Sequence, residues 1–150
     1  MREIIKCLTV RQPWSYLIVN GHKNVENRSW STGYRGPVVI QSAAKVGNRD
    51  EFNTLCLDIE RETGIHLPLQ FTLGSTEGIV TLSDVTKNSR SIWAAPGDYH
   101  WILKDPIKLP AVSVSGKLGL WDLRLKSLQT LPEGETAVSV IIEYLTPYKR

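Results

Sequence analysis

Cysteine, methionine and phenylalanine are scarce here: two, one and two in 150 residues. So few cysteines exclude a disulfide scaffold. Cys7 and Cys56 sit in apolar stretches and are expected to behave as small buried hydrophobes in a reducing cytoplasm. No apolar run approaches the ~20 residues of a membrane-spanning helix, so no membrane partner is expected. The opening Met1-Arg2-Glu3-Ile4-Ile5-Lys6 is too short and too charged to serve as a secretory signal, which points to a cytoplasmic location. His22, His66 and His100 are isolated, and no Cys/His pair has ligand spacing, so neither a metal nor another cofactor is expected. No glycine-rich phosphate loop or serine-hydrolase elbow occurs. With no repeat, low-complexity tract or linker, the chain reads as one domain over 1–150.

The charge is nearly balanced, at +3 with a pI near 8.9. That permits contact with nucleic acid without demanding it, because strong electrostatic binders cluster their Lys and Arg. Against this background, five tryptophans stand out. A core needing only apolar volume would use Leu and Ile, whereas Trp adds a flat ring and an N–H donor. It suits stacking on nucleobases as well as packing.

The order of elements follows from pattern and punctuation. Residues 4–10 are β-rich. Pro13 fits a first helical turn, and Trp14, Leu17 and Ile18 form an i, i+3, i+4 stripe closed by Gly21, which predicts a helix over 13–20. Strands are expected at 24–30, 37–42, 78–85, 99–103 and 115–121, the fifth ending before Pro106 and the last broken by glycines. Asn48 is an N-cap signal and Gly64 a C-cap signal for a second helix. Beyond residue 123 the pattern is mixed. Val138, Ile141, Ile142 and Leu145 have helical spacing, but the Val140-Ile141-Ile142 run favours a strand, which is the expectation adopted. Six short strands with two helices inserted irregularly argue for mixed α+β, mainly β: a small barrel plugged by helices rather than a doubly wound sheet.

The segment of greatest chemical interest is Gly21-x-Lys23-x-x-Glu26-x-Arg28. It places three charges between a helix end and a β run, with Trp14 and Trp30 on either side. In an extended segment Glu26 and Arg28 share a face and Val25 lies opposite. Lys23 suits a phosphate, or general-base work if burial lowers its pKa. It suits equally a surface pair with Glu26. Glu26 can act as a base or accept from an exocyclic amine such as cytosine N4; an ion pair with Arg28 or Arg35 is the plainer role. Arg28 carries a fork for phosphate or carboxylate, and bracing Glu26 is its favoured use. Trp30 can stack on a base, while Trp14 lies on the apolar stripe and reads as core. Tyr34 and Arg35, at a turn, are candidate phosphate contacts. Ser42 and Lys45 set a hydroxyl near an amine, a pattern that supports nucleophilic catalysis but is common by chance. Lys117, among glycines, can reach a backbone phosphate.

Together with Gln12-Pro13-Trp14, Arg28-Ser29-Trp30, Tyr34-Arg35-Gly36-Pro37, Tyr99-His100-Trp101 and Gly116-Lys117-Leu118-Gly119-Leu120-Trp121, this motif resembles the ASCH domain family of the PUA-like superfamily, over about residues 7–123. The resemblance implies a PUA-like barrel whose cleft is lined by the Lys23–Arg28 segment, and binding of RNA or other nucleic acid. Some small bacterial members are amidohydrolases of acylated cytidine nucleosides, and some have been proposed to cleave RNA. The amidohydrolases pair the motif lysine with a threonine nucleophile and a distant glutamate. Here Lys23 matches and Glu26 replaces the threonine, which weakens that activity; Glu77 is the candidate for the distant carboxylate.

Three functions remain in play. A nucleic-acid reader would use Lys23, Arg35, Lys45 and Lys117 on phosphates and Glu26 on a base. A small hydrolase, either ribonuclease or N-acylcytidine amidohydrolase, would use Lys23 and Glu26 as its catalytic pair on RNA or a nucleoside. A protein-interaction domain would keep the cleft without using it.

Overall fold

The computed structural model describes residues 3–128 and 136–148. The chain runs β1 (Ile4–Val10), α1 (Trp14–Val19), β2 (Val25–Arg28), β3 (Gly36–Ser42), α2 (Arg49–Thr63), β4 (Thr76–Thr86), β5 (Tyr99–Lys108), β6 (Leu120–Arg124) and α3 (Ala137–Leu145). The six strands form one sheet in the order β2-β5-β4-β3-β1-β6. The β1–β3 pair is parallel and the others are antiparallel.

Alternation along the strands divides the core in two. Leu8 and Val10 of β1, with Val38, Ile40, Val80 and Leu82, face α1 and pack on its Ile18 and Val19. Ile5 and Cys7, with Val39, Ile79, Trp121 and Leu123, face α3 and pack on Ile141 and Leu145. Burial pushes the Cys7 thiol far above its ordinary range, so it stays protonated and inert. Cys7 and Cys56 are both free.

Sequence and structure differ in four places. The sheet is mixed and mainly strand-built, but it does not close into a barrel. β2 has only four residues, its ladder is with β5, and it makes none with β6. The expected strand at 115–121 is displaced to Leu120–Arg124, because Gly119 has φ +72, a break in any extended run. β5 continues through Pro106 to Lys108. Its ladder with β2 ends at Ile102, and its register with β4 shifts between Lys104 and Ile107, so no pairing amide is needed at Pro106. The tail, expected as a strand, forms α3. Thr136 and Ser139 make a reciprocal capping box at its start, and Ala137, Ile141 and Leu145 bury one stripe. Packing overrides the β preference of the Val-Ile-Ile run.

Among the described residues no helix is long and apolar enough to cross a membrane. Nor do any three His, Cys, Asp or Glu gather as a metal set.

Candidate functional site

The end of α1 delivers the motif. The backbone amides of His22 and Lys23 both donate to the Leu17 carbonyl at 2.9 Å, and Gly21 has φ +80, so the chain folds sharply back before β2. This brings Lys23 inside, only 5% exposed. Its ammonium lies over the Trp14 ring, 5.5 Å from the centroid. It donates to the Val25 carbonyl and, at 3.1 Å, to Glu26 Oε1. Glu26 and Arg28 share one face of β2. Arg28 donates to Glu26 Oε2 through Nε at 3.1 Å and Nη2 at 2.8 Å, and reaches the Thr9 carbonyl of β1 at 3.0 Å. The carboxylate thus sits between two cations, and Arg28 braces it. Burial lowers the Lys23 pKa; Glu26 offsets part of this by raising it, and Arg28 adds a smaller lowering.

This trio borders a cleft of about 1120 Å³. One wall is α2, which turns Leu55, Asp58, Ile59 and Glu62 toward it. These positions, i, i+3, i+4 and i+7, form one helical face. A second wall is the loop 92–95, and Arg11 and the segment 117–119 complete the border. Trp14 and Trp93 meet edge to face there at 6.5 Å. Two apolar side chains on the lining stand almost fully in solvent, Ile92 at 82% and Leu118 at 99%.

The loop is clamped to the sheet. Asn27 donates to the Trp93 carbonyl at 2.8 Å and accepts from the Ala95 amide at 2.9 Å. Asn24 accepts from the Ser91 hydroxyl at 2.7 Å. His100 accepts from the Ser89 amide through Nδ1 and bonds the Ala95 carbonyl through Nε2, which assigns the ring proton to Nε2. Trp93 is therefore a preset surface.

Of the residues singled out from sequence, the fold gathers Lys23, Glu26, Arg28 and Lys117 at the cleft. Lys117 is exposed, with its ammonium 5.5 Å from the Trp121 ring. The remaining five do not line it. Trp30 packs edge-on against Trp101 at 4.8 Å. The Tyr34 hydroxyl donates to the Pro37 carbonyl, and Arg35 binds the carbonyls of Thr32 and Tyr34. The buried Ser42 hydroxyl donates to the Ser75 carbonyl, while Lys45 is exposed. Glu77 also lies elsewhere. Gln12 Nε2 donates to its two oxygens at 3.0 and 3.2 Å, and burial raises its pKa. Trp14, assigned to the core from its stripe, is half-buried: it packs against the core on the α1 side and also lines the cleft. Sequence reasoning missed Asn27, Trp93 and the α2 face. Asn27 lies inside the motif, so its place was visible. The other two become neighbours of Lys23 only through tertiary structure.

Residues 8–111 match the ASCH domain family. The chain is also similar to activating signal cointegrator 1 of Homo sapiens, at 30% identity, and of Mus musculus, at 28%. Each alignment covers 85% of this chain and 24% of the relative, so the chain spans about a quarter of the length of the curated relatives it matches. The family match takes in the end of β1 and everything from α1 through β5, and with them the Lys23–Glu26–Arg28 network: the chain belongs to the ASCH domain family.

Proposed function

We propose that this chain binds nucleic acid, RNA above all, through the cleft built around Gly21-x-Lys23-x-x-Glu26-x-Arg28. One observation carries this reading: a buried Lys–Glu–Arg network borders a cleft that also presents Trp14, Trp93 and the exposed Lys117. Ring faces accept any base by stacking, and cations at the border take phosphates. Glu26 has each oxygen engaged by a cation, so its part is to fix Lys23 and Arg28 in place as much as to touch a base.

A hydrolase is the second reading. Its support is the desolvated Lys23, whose lowered pKa brings it nearer to general-base use. The hydroxyl of Ser42, committed to the Ser75 carbonyl, gives no support to a Ser42–Lys45 nucleophile.

The test incubates purified protein, and its Lys23→Met and Lys117→Ala variants, with labelled single-stranded RNA and with N4-acetylcytidine. Bound fraction and product are followed together, with circular dichroism to check folding. Binding that weakens with salt and in Lys117→Ala supports the reader. Product that disappears in a folded Lys23→Met variant replaces it with the hydrolase. Binding indifferent to salt, or none, refutes the reader.

A further inference from the structure

The cleft is charged asymmetrically. Its exposed cations, Arg11 and Lys117, lie at the end of β1 and just before β6. Its exposed anions, Asp58 and Glu62, both project from α2, one turn apart. The charges deeper in, on Lys23, Glu26 and Arg28, are tied to each other. Asp58 has Arg61 at 3.7 Å, a loose exposed pair of little worth that offsets part of its charge, so Glu62 carries more of the acidic character of this wall.

A phosphate chain is repelled by α2 and drawn to the side of Arg11 and Lys117. A duplex carries a phosphate chain on both sides of any groove, so one of its strands would meet the acidic helix. A single strand avoids that conflict by lying on the basic side and turning its bases toward α2. There Leu55 and Ile59 offer apolar contact, and the two carboxylates can only accept hydrogen bonds.

Resting on the nucleic-acid reading above, we infer that the cleft takes a single strand in this one orientation. Glu62, aided by Asp58, accepts from an exocyclic base amine, so that cytosine is preferred to uracil. The two pyrimidines differ at this edge in the sense of the hydrogen bond. Cytosine offers the N4 donor, whereas uracil sets its O4 acceptor against a carboxylate.

The experiment measures binding of oligo(C), oligo(U) and a mixed-sequence duplex of equal length, at fixed salt and pH 7. It uses the wild-type chain, Glu62→Gln and the double variant Asp58→Asn/Glu62→Gln. All substitutions are at exposed helix positions, and circular dichroism verifies the fold. Expected is a preference for oligo(C) over oligo(U) of about fivefold or more, the low end of what one base-edge contact discriminates. The preference should shrink in Glu62→Gln and vanish in the double variant, while the duplex binds the wild type more weakly than either single strand. Equal affinity for the two pyrimidine strands, a preference that survives in the double variant, or a duplex bound as tightly as oligo(C) overturns the inference and leaves the nucleic-acid reading standing. No salt-sensitive binding to any of the three overturns both.

Discussion

Lys23 and Glu26 stand 3.1 Å apart with side chains only 4% and 10% exposed. A pair so far removed from water is costly to break, because whichever charge remains is stranded. The two halves are not equivalent, however. Removing Lys23 leaves Glu26 with Arg28, whereas removing Glu26 leaves two cations facing one another without their carboxylate. Glu26→Ala is therefore expected to destabilise the fold by ~3–5 kcal/mol, and Lys23→Met by clearly less. Urea denaturation of both variants measures the difference. Equal losses would mean that Arg28 does not hold the carboxylate by itself.

The sequence made the pair visible and hid its surroundings. Spacing in β2 put Glu26 and Arg28 on one face, and Asn48 and Gly64 marked the ends of α2, because each of these signals acts within a few residues. The wall that α2 offers the cleft depends instead on where the helix docks. Trp14 shows the same limit: its helical stripe does pack on the core, but its ring also meets Trp93, a contact only tertiary structure creates. The barrel expectation failed because closure depends on a ladder between two edges far apart in sequence, which local pattern does not report.

Asn27 holds the loop 92–95 through two hydrogen bonds. Asn27→Ala should remove both, at ~0.5–1.5 kcal/mol each. Hydrogen exchange at the Ala95 amide, which donates to Asn27 Oδ1, should accelerate more than exchange in β4. A uniform acceleration would instead indicate global loss of stability, and the loop would not be a separately clamped unit.

Glu77 supplies a pH test. Its pKa is raised, chiefly by burial, although the hydrogen bond from Gln12 pulls the other way. A carboxyl whose folded pKa lies above its unfolded value binds its proton more readily in the native state. Its contribution is therefore fully present below about pH 4.5 and is lost as pH rises through the folded pKa. Glu77→Gln, neutral at every pH, should be more stable than the wild type at pH 7, with the gap closing toward pH 4. Thermal melts across that window decide it, and a gap that widens on acidification would contradict the assigned direction.

Gly78 sets how closely α1 approaches the sheet. A Cβ built there would lie 2.7 Å from Val19 Cβ and 2.9 Å from the Ile107 carbonyl oxygen. Neither atom is the free end of a flexible chain, so helix or strand must move. Gly78→Ala is expected to destabilise by ~1–3 kcal/mol through overpacking. A variant within about 0.5 kcal/mol of the wild type, the spread of ordinary surface changes, would show that α1 slides at little expense.

Lys117 is the most direct probe of the proposed binding. It is exposed, and its ammonium lies over the Trp121 ring, so its removal should spare the core. If it neutralises one phosphate of a single strand, it releases about one condensed counterion. The plot of log affinity against log salt should then lose ~0.7 from its slope in Lys117→Ala. A fall in affinity alone is weaker proof, because lost packing on Trp121 could weaken binding at every salt concentration alike. The slope separates the two. An unchanged slope would mean that the strand's phosphates pass elsewhere, and Arg11, the other exposed cation of the cleft, would be the next residue to replace.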